Sequence, residues 1–189
     1  DALPIYFHNI TLVGVLGTDL MLNLPDFRSS ERTYQLITQV SGRAGRGEKK
    51  GQVYIQTYNP SHYALQAVLS SDWDDFYEEE LEIRSKLFYP PFSRLVRILF
   101  KAETEGLIIK LVSKLKEFLE NKYNKEFYYL GPVEAAISKL RGKYRWHLLC
   151  FFPGIKERRK FLPEIKAKIY ELISNKVDVS VDVDPNSML

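Results

Sequence analysis

Two segments of this chain gather the residue types that handle phosphate. The first is Gln39-Val40-Ser41-Gly42-Arg43-Ala44-Gly45-Arg46-Gly47. Glycines let a backbone take positive φ and come close to a ligand. Two arginines three residues apart can reach one cleft, and each planar guanidinium can grip phosphate oxygens in pairs. Beside a transferring γ-phosphate, such an arginine neutralises developing charge. The competing reading is a glycine-rich turn with solvated arginines. The second segment is Lys139-Leu140-Arg141-Gly142-Lys143-Tyr144-Arg145-Trp146-His147. Its basic residues fall on every second position. On one strand they would share a face, spaced roughly 6.5–7 Å apart, with Tyr144 and Trp146 on the other. The competing reading is a solvated sheet face over an aromatic core. A row of like charges repels, so a polyanion such as a DNA backbone is the favoured partner.

These segments need elements to hold them. Residues 10–16, Ile-Thr-Leu-Val-Gly-Val-Leu, predict a strand buried on both faces, as in a parallel sheet. Ser29 or Ser30 can cap a helix running through Glu31 to about Val40, with Leu36, Ile37 and Val40 as its apolar positions. A strand follows over 52–57, and helices over 61–70 and 73–88. Tyr89-Pro90-Pro91-Phe92 then marks a boundary. Beyond it the expected elements are a strand at 94–102, a helix at 105–122, and a strand at 127–135 bent at Gly131-Pro132. A strand at 143–152, a helix at 156–174 and a strand at 177–183 complete them. The fold class is α/β, more narrowly α+β. The β-α-β-β-α-β order over 93–189 is that of a ferredoxin-like domain.

Composition bounds the rest. The chain has 189 residues, enough for one large or two small domains, with 45% hydrophobic and 27% charged residues. A net charge of +3 does not by itself argue for nucleic acid, so the placement of the basic residues must. The single cysteine, Cys150, excludes a disulfide framework and an all-cysteine metal site, and suits a reducing compartment. No apolar run is long enough to span a membrane, and the start at Asp1 reads as a fragment rather than a signal peptide. His8 and His62 lack partners at metal-ligand spacing, so no metal site is expected. Trp73, Phe76 and Tyr77 read as packing residues, and Lys156-Glu157-Arg158-Arg159-Lys160 as a solvated helix start.

The Gln39–Gly47 pattern is similar to motif VI of superfamily-two helicases. A longer set of residues narrows this. It comprises Asn9-Ile-Thr-Leu-Val-Gly-Val-Leu16, Leu24-Pro25-Asp26-Phe27-Arg28, Gly51-x-Val53, Tyr89-Pro90-Pro91-Phe92, Leu140–Trp146 and Asp182-Val183-Asp184-Pro185. Together they resemble the C-terminal part of the PriA (primosomal protein N′) family of bacterial replication-restart helicases.

That resemblance implies an ATP-dependent 3′→5′ DNA helicase that recognises stalled forks and starts primosome assembly, in a cytoplasmic, nucleoid-associated setting. It implies the end of a second RecA-like lobe over 1–70, a connecting helix and linker over 71–92, and a ferredoxin-like DNA-binding domain over 93–189. Arg46, with Arg43, would be the arginine finger in an intact parent. Gln39, Gly42 and Asp19 would line the nucleotide, although the family pattern Leu-Asp-Ala-Asp reads Leu16-Gly17-Thr18-Asp19 here. Lys139, Arg141, Lys143 and Arg145 would contact branched or single-stranded DNA. Lys143 and His147 would help hold the acidic tail of single-stranded-DNA-binding protein, and other primosome proteins are further expected partners. ATP, Mg and structural zinc belong to the parent only: the chain has no Gly-x-x-x-x-Gly-Lys-[Ser/Thr] loop, Asp-Glu box or cysteine cluster. It is therefore expected to be inactive as an ATPase alone. The other readings are a module for docking the acidic tail and a small RNA-binding protein on the same fold.

Overall fold

A computed structural model describes residues 10–42, 44, 51–123 and 127–189. It is a mixed α/β structure with two sheets. The chain divides into two compact units, Asp1–Ile83 and Arg84–Leu189.

In unit 1, β1 (Leu12–Val15) is followed by α1 (Thr18–Leu22), α2 (Ser29–Ser41), β2 (Gln52–Ile55) and α3 (Tyr63–Ser70). α4 (Trp73–Lys86) begins there and crosses the division. β1 and β2 pair in parallel, Leu12 opposite Gln52 and Val15 opposite Ile55. The strand expected to be buried on both faces is not. Leu12 is 62% exposed, and no residue of β1 or β2 is fully buried. A parallel strand is hidden only when neighbouring strands and helices cover it, and this sheet has two strands among the described residues.

α2 also departs from expectation. Its N-cap is Arg28, and neither Ser29 nor Ser30 caps it. Asp26 does the anchoring instead, accepting from the Arg28 amide at 3.0 Å and from Arg32 Nη1 at 3.1 Å. Ile37 is fully buried while Leu36 is exposed. The small core of unit 1 is aromatic: the Tyr34 and Phe76 rings stack at 4.4 Å, and Tyr63 lies 5.8 Å from Phe76.

Unit 2 has the order β3 (Arg94–Ala102), α5 (Glu105–Lys122), β4 (Tyr128–Leu140), β5 (Lys143–Phe152), α6 (Ile155–Leu172), β6 (Asp178–Val183). The four strands form an antiparallel sheet in the order β4-β5-β3-β6. Strand parity decides which side chains meet the helices. Val96, Ile98 and Phe100 of β3 share a face with Leu148, Cys150 and Phe152 of β5. That face meets Ile108, Leu111, Leu115 and Leu119 of α5 and Phe161, Ile165 and Ile169 of α6. The two 18-residue helices place apolar side chains at three- and four-residue spacing, so each presents one stripe to the sheet. Cys150 is fully buried at the centre of this core, and burial pushes its thiol pKa up.

The opposite face carries Leu95, Arg97, Leu99 and Lys101 of β3 with Lys143, Arg145, His147, Leu149 and Phe151 of β5. It is not bare. The residues after β6 fold along it: the Asp184 amide donates to Leu95 O at 2.8 Å, and Arg97 Nη1 donates to the Leu189 carbonyl. Tyr89 adds a ring 5.7 Å from Phe151.

Candidate nucleic-acid interface

The basic segment does not form one strand. β4 ends at Leu140 and β5 begins at Lys143, with Lys139 opposite Tyr144 and Leu140 opposite Lys143. Arg141 and Gly142 form the connection, with φ of 51° and 80°. A two-residue loop with positive φ at both positions is the turn whose twist matches antiparallel strands. Gly142 accepts that conformation freely, whereas Arg141 pays for a Cβ there.

This turn redistributes the cations. Directly paired residues share a face of the sheet, so Lys139 lies on the Tyr144 side, opposite to Lys143, Arg145 and His147. Its Nζ sits 4.4 Å from the Tyr144 ring centroid. Arg141 stands exposed at the apex of the hairpin. Lys143 is held by Asp178 at 2.5 Å. The hydrogen bond to Asp178, and then its charge, hold the Lys143 pKa above the usual lysine value and the Asp178 pKa below the usual aspartate value. The repulsion expected of Lys143 in a cationic row is therefore relieved within the fold. As expected, Trp146 points to the helices, and its Nε1 donates to Glu105 at 3.2 Å.

Arg145 departs most from a phosphate-contacting side chain. It is 8% exposed, bonded through Nη1 to the Ile137 carbonyl at 3.3 Å, and its Nε has no partner. Lys101 lies directly across from it on β3. Arg97, which the sequence reading passed over, faces the same side. It reaches Asp182 at 3.7 Å, and its Nε is also unpartnered. The signal for Arg97 was a lone cation inside an apolar strand run, Leu95-Val96-Arg97-Ile98-Leu99. His147 stands near both guanidiniums with Nδ1 buried and unpartnered. Burial first, and then the charges of Arg97 and Arg145, hold the His147 pKa below the usual histidine value, against a backbone hydrogen bond to Met188. The sheet face away from the helices thus combines two guanidiniums with a neutral imidazole, a combination that suits an oxyanion.

The nucleotide-site candidates lie in unit 1. Gln39 is on the exposed side of α2, and Gly42 is the C-cap of that helix, its amide bonded to Thr38 O at 3.0 Å. Arg43 and Arg46 lie outside the described residues. Asp19 is in the first turn of α1. Its carboxylate accepts from Thr57 Oγ1 at 3.0 Å and from the Tyr58 amide at 3.1 Å, just past the end of β2. Desolvation opposes ionisation of Asp19, but the Tyr58 and Thr57 hydrogen bonds outweigh it and its pKa falls below the usual value. That carboxylate is occupied in tying β2 to α1. Among the described residues no group of three His, Cys, Asp or Glu could hold a metal.

The Primosomal protein N C-terminal domain family matches residues 85–186, more than half of the chain. The chain belongs to the PriA family. Its relatives include the replication restart protein PriA of Bacillus subtilis, 38% identical over 97% of this chain. Those of Synechocystis and Borreliella burgdorferi are 40% and 34% identical over 95% and 97%. The chain spans only 23%, 21% and 27% of the length of these three PriA proteins. Among solved structures, a de novo designed protein, Foldit4, aligns with 48% of the chain at 19% identity and a TM-score of 0.37, too loose to bear on the fold. No helix among the described residues of this PriA-family chain is long and apolar enough to cross a membrane.

Proposed function

We propose that this chain is the C-terminal portion of a replication-restart protein and that its β4–β5 hairpin contacts DNA. The observation that carries the proposal is the tip, where Arg141 projects from a tight turn between Lys139 and Lys143. A compact knob with charge on both sides of the sheet fits a junction or single strand better than a flat row would. The β-α-β-β-α-β order with strand order β4-β5-β3-β6 supports a ferredoxin-like reading of unit 2. The parallel β1–β2 pair supports a partial RecA-like lobe in unit 1. On this reading the parent is the ATP-dependent 3′→5′ helicase, and Gln39, Gly42, Arg43 and Arg46 would serve its nucleotide. The residues present here do not make up an ATP site by themselves, because no phosphate loop accompanies them and Asp19 is committed to Thr57 and Tyr58.

The test is fluorescence anisotropy with forked and single-stranded oligonucleotides across a salt series. Arg141→Asn keeps a residue tolerant of positive φ and removes the cation. Loss of one phosphate contact should lower the salt slope by about 0.7 on a single strand. An unchanged slope and affinity would sink the hairpin reading.

A second reading has its own support. Arg97, Arg145 and His147 on the sheet face away from the helices suit a carboxylate. Docking the acidic tail of single-stranded-DNA-binding protein there, with Lys143 at the edge, would use them. Calorimetric titration of an acidic tail peptide should show binding that His147→Ala weakens, and a flat titration rejects it.

A further inference from the structure

One surface of unit 2 carries chemistry that neither reading uses. α6 turns Phe161, Ile165 and Ile169 into the core. On its outer side Arg158, Arg159, Leu162, Pro163, Lys166 and Tyr170 line a concave strip of about 500 Å³. At the helical rise, the strip from 158 to 170 runs about 18 Å. Its floor is apolar, and Tyr170 is 67% exposed at one end.

The charges of α6 are sorted around this strip. Glu164 is bonded to Tyr123 and lies 2.9 Å from Lys122, and Glu171 is paired with Lys168 at 2.7 Å. Glu157 folds back over Gly154 at the helix start. No carboxylate lines the strip. Arg158 is fixed by Asp184 at 2.6 Å, whereas Arg159 and Lys166 make no ion pair among the described residues. Pro163, inside the helix, has no N–H to offer the carbonyl four residues back. Two unpaired cations, a flat exposed ring and an apolar floor thus lie within one short track.

We infer that the outer strip of α6 is a second nucleic-acid contact that binds a single strand. Arg159 and Lys166 meet its phosphates, and Tyr170 stacks a base. A carboxylate-rich peptide would satisfy the cations, but it gives the ring no planar partner. Base–aromatic stacking on a basic track is the usual solution for sequence-tolerant single-strand binding. The inference rests on the DNA reading proposed above and adds a surface to it.

The 189-residue chain, a labelled single strand of about 16 nucleotides and a salt series test it. Tyr170→Ala should weaken binding roughly 5- to 160-fold, the range of one lost stacking contact. Arg159→Gln with Lys166→Gln should flatten the slope of log Kobs against log salt by about 1.4, two phosphates at about 0.7 each. All three side chains are at least partly exposed, and circular dichroism checks that the variants fold. Arg141→Asn separates the two surfaces. If it alone loses affinity, the hairpin stands and the strip is overturned. If only the strip variants lose affinity, the strip stands without the hairpin. If the strip variants lose a carboxylate-rich peptide but keep the oligonucleotide, the strip docks protein and the inference fails. A wild-type chain with no salt-sensitive binding overturns both surfaces.

Discussion

The two units solve the problem of covering a sheet differently. Unit 2 buries one face of four antiparallel strands under two long helices, and its core side chains Val96, Ile98, Phe100, Leu148, Cys150 and Phe152 are fully hidden. Unit 1 has the sequence of a deeply buried parallel strand, yet leaves Leu12, Leu16, Leu20 and Tyr54 exposed. An antiparallel sheet closed by local hairpins and its own helices can finish itself, whereas a parallel pair relies on layers beyond it. Unit 2 therefore carries its own stability, and unit 1 leans on a small aromatic cluster around Tyr34 and Phe76.

Breaking this contrast should be easiest at the core. Phe100→Ala should cost unit 2 about 3–5 kcal/mol, while Leu12→Ala in β1 should change stability by less than about 0.5 kcal/mol. Denaturant unfolding followed by circular dichroism reads both, and equal costs would erase the contrast. Hydrogen exchange sharpens it amide by amide. β3 and β5 should open about 2 kcal/mol or more above β1 and β2, and equal protection would mean that the units share one stability. A smaller effect lies at the hairpin. Arg141→Gly relieves a left-handed backbone and should stabilise unit 2 by about 1 kcal/mol, seen as a raised Tm.

The smallest effect is the histidine pair, one in each unit. Burial holds His62 and His147 below the usual value of 6.5. The unfolded chain therefore binds more protons than the native one as pH falls. The stabilisation is complete above 6.5 and is lost as pH drops through each depressed folded value. His147→Gln should reduce the acid sensitivity of unit 2 and leave that of unit 1 unchanged. Thermal unfolding between pH 7 and pH 5 is the measurement, and unaltered acid sensitivity in unit 2 rejects the assignment.

Much of unit 2 was legible in the sequence because one rule governed each element. β3 spans 94–102 and α5 spans 105–122, as their apolar run and helical apolar stripe predict. The hairpin was not legible. Alternation of cations continues unbroken from Lys139 to His147, and Arg-Gly lacks the Asn-Gly or Asp-Gly signature of this turn. A period of two says nothing about where a strand reverses. The burial of Arg145 followed from that reversal and from the residues after β6, which only the folded chain brings to the sheet face away from the helices. The helix start at Arg28 was missed because Asp26 satisfies the helix entry from outside the expected cap. On α6, the solvated reading of Lys156–Lys160 missed that Lys166 and Tyr170 fall on the same outer side one to three turns later.

The placement of Cys150 gives this chain an internal clock. It is the only thiol in the sequence, and it sits among Leu148, Phe152 and the two helices of unit 2. A thiol kept protonated and out of solvent reacts only when its surroundings part. The rate at which a disulfide reagent labels the native chain therefore times the opening of one unit and is blind to the other. A partner that clamps unit 2 should slow that rate in proportion to how firmly it holds, without a dye, a tag or an engineered residue.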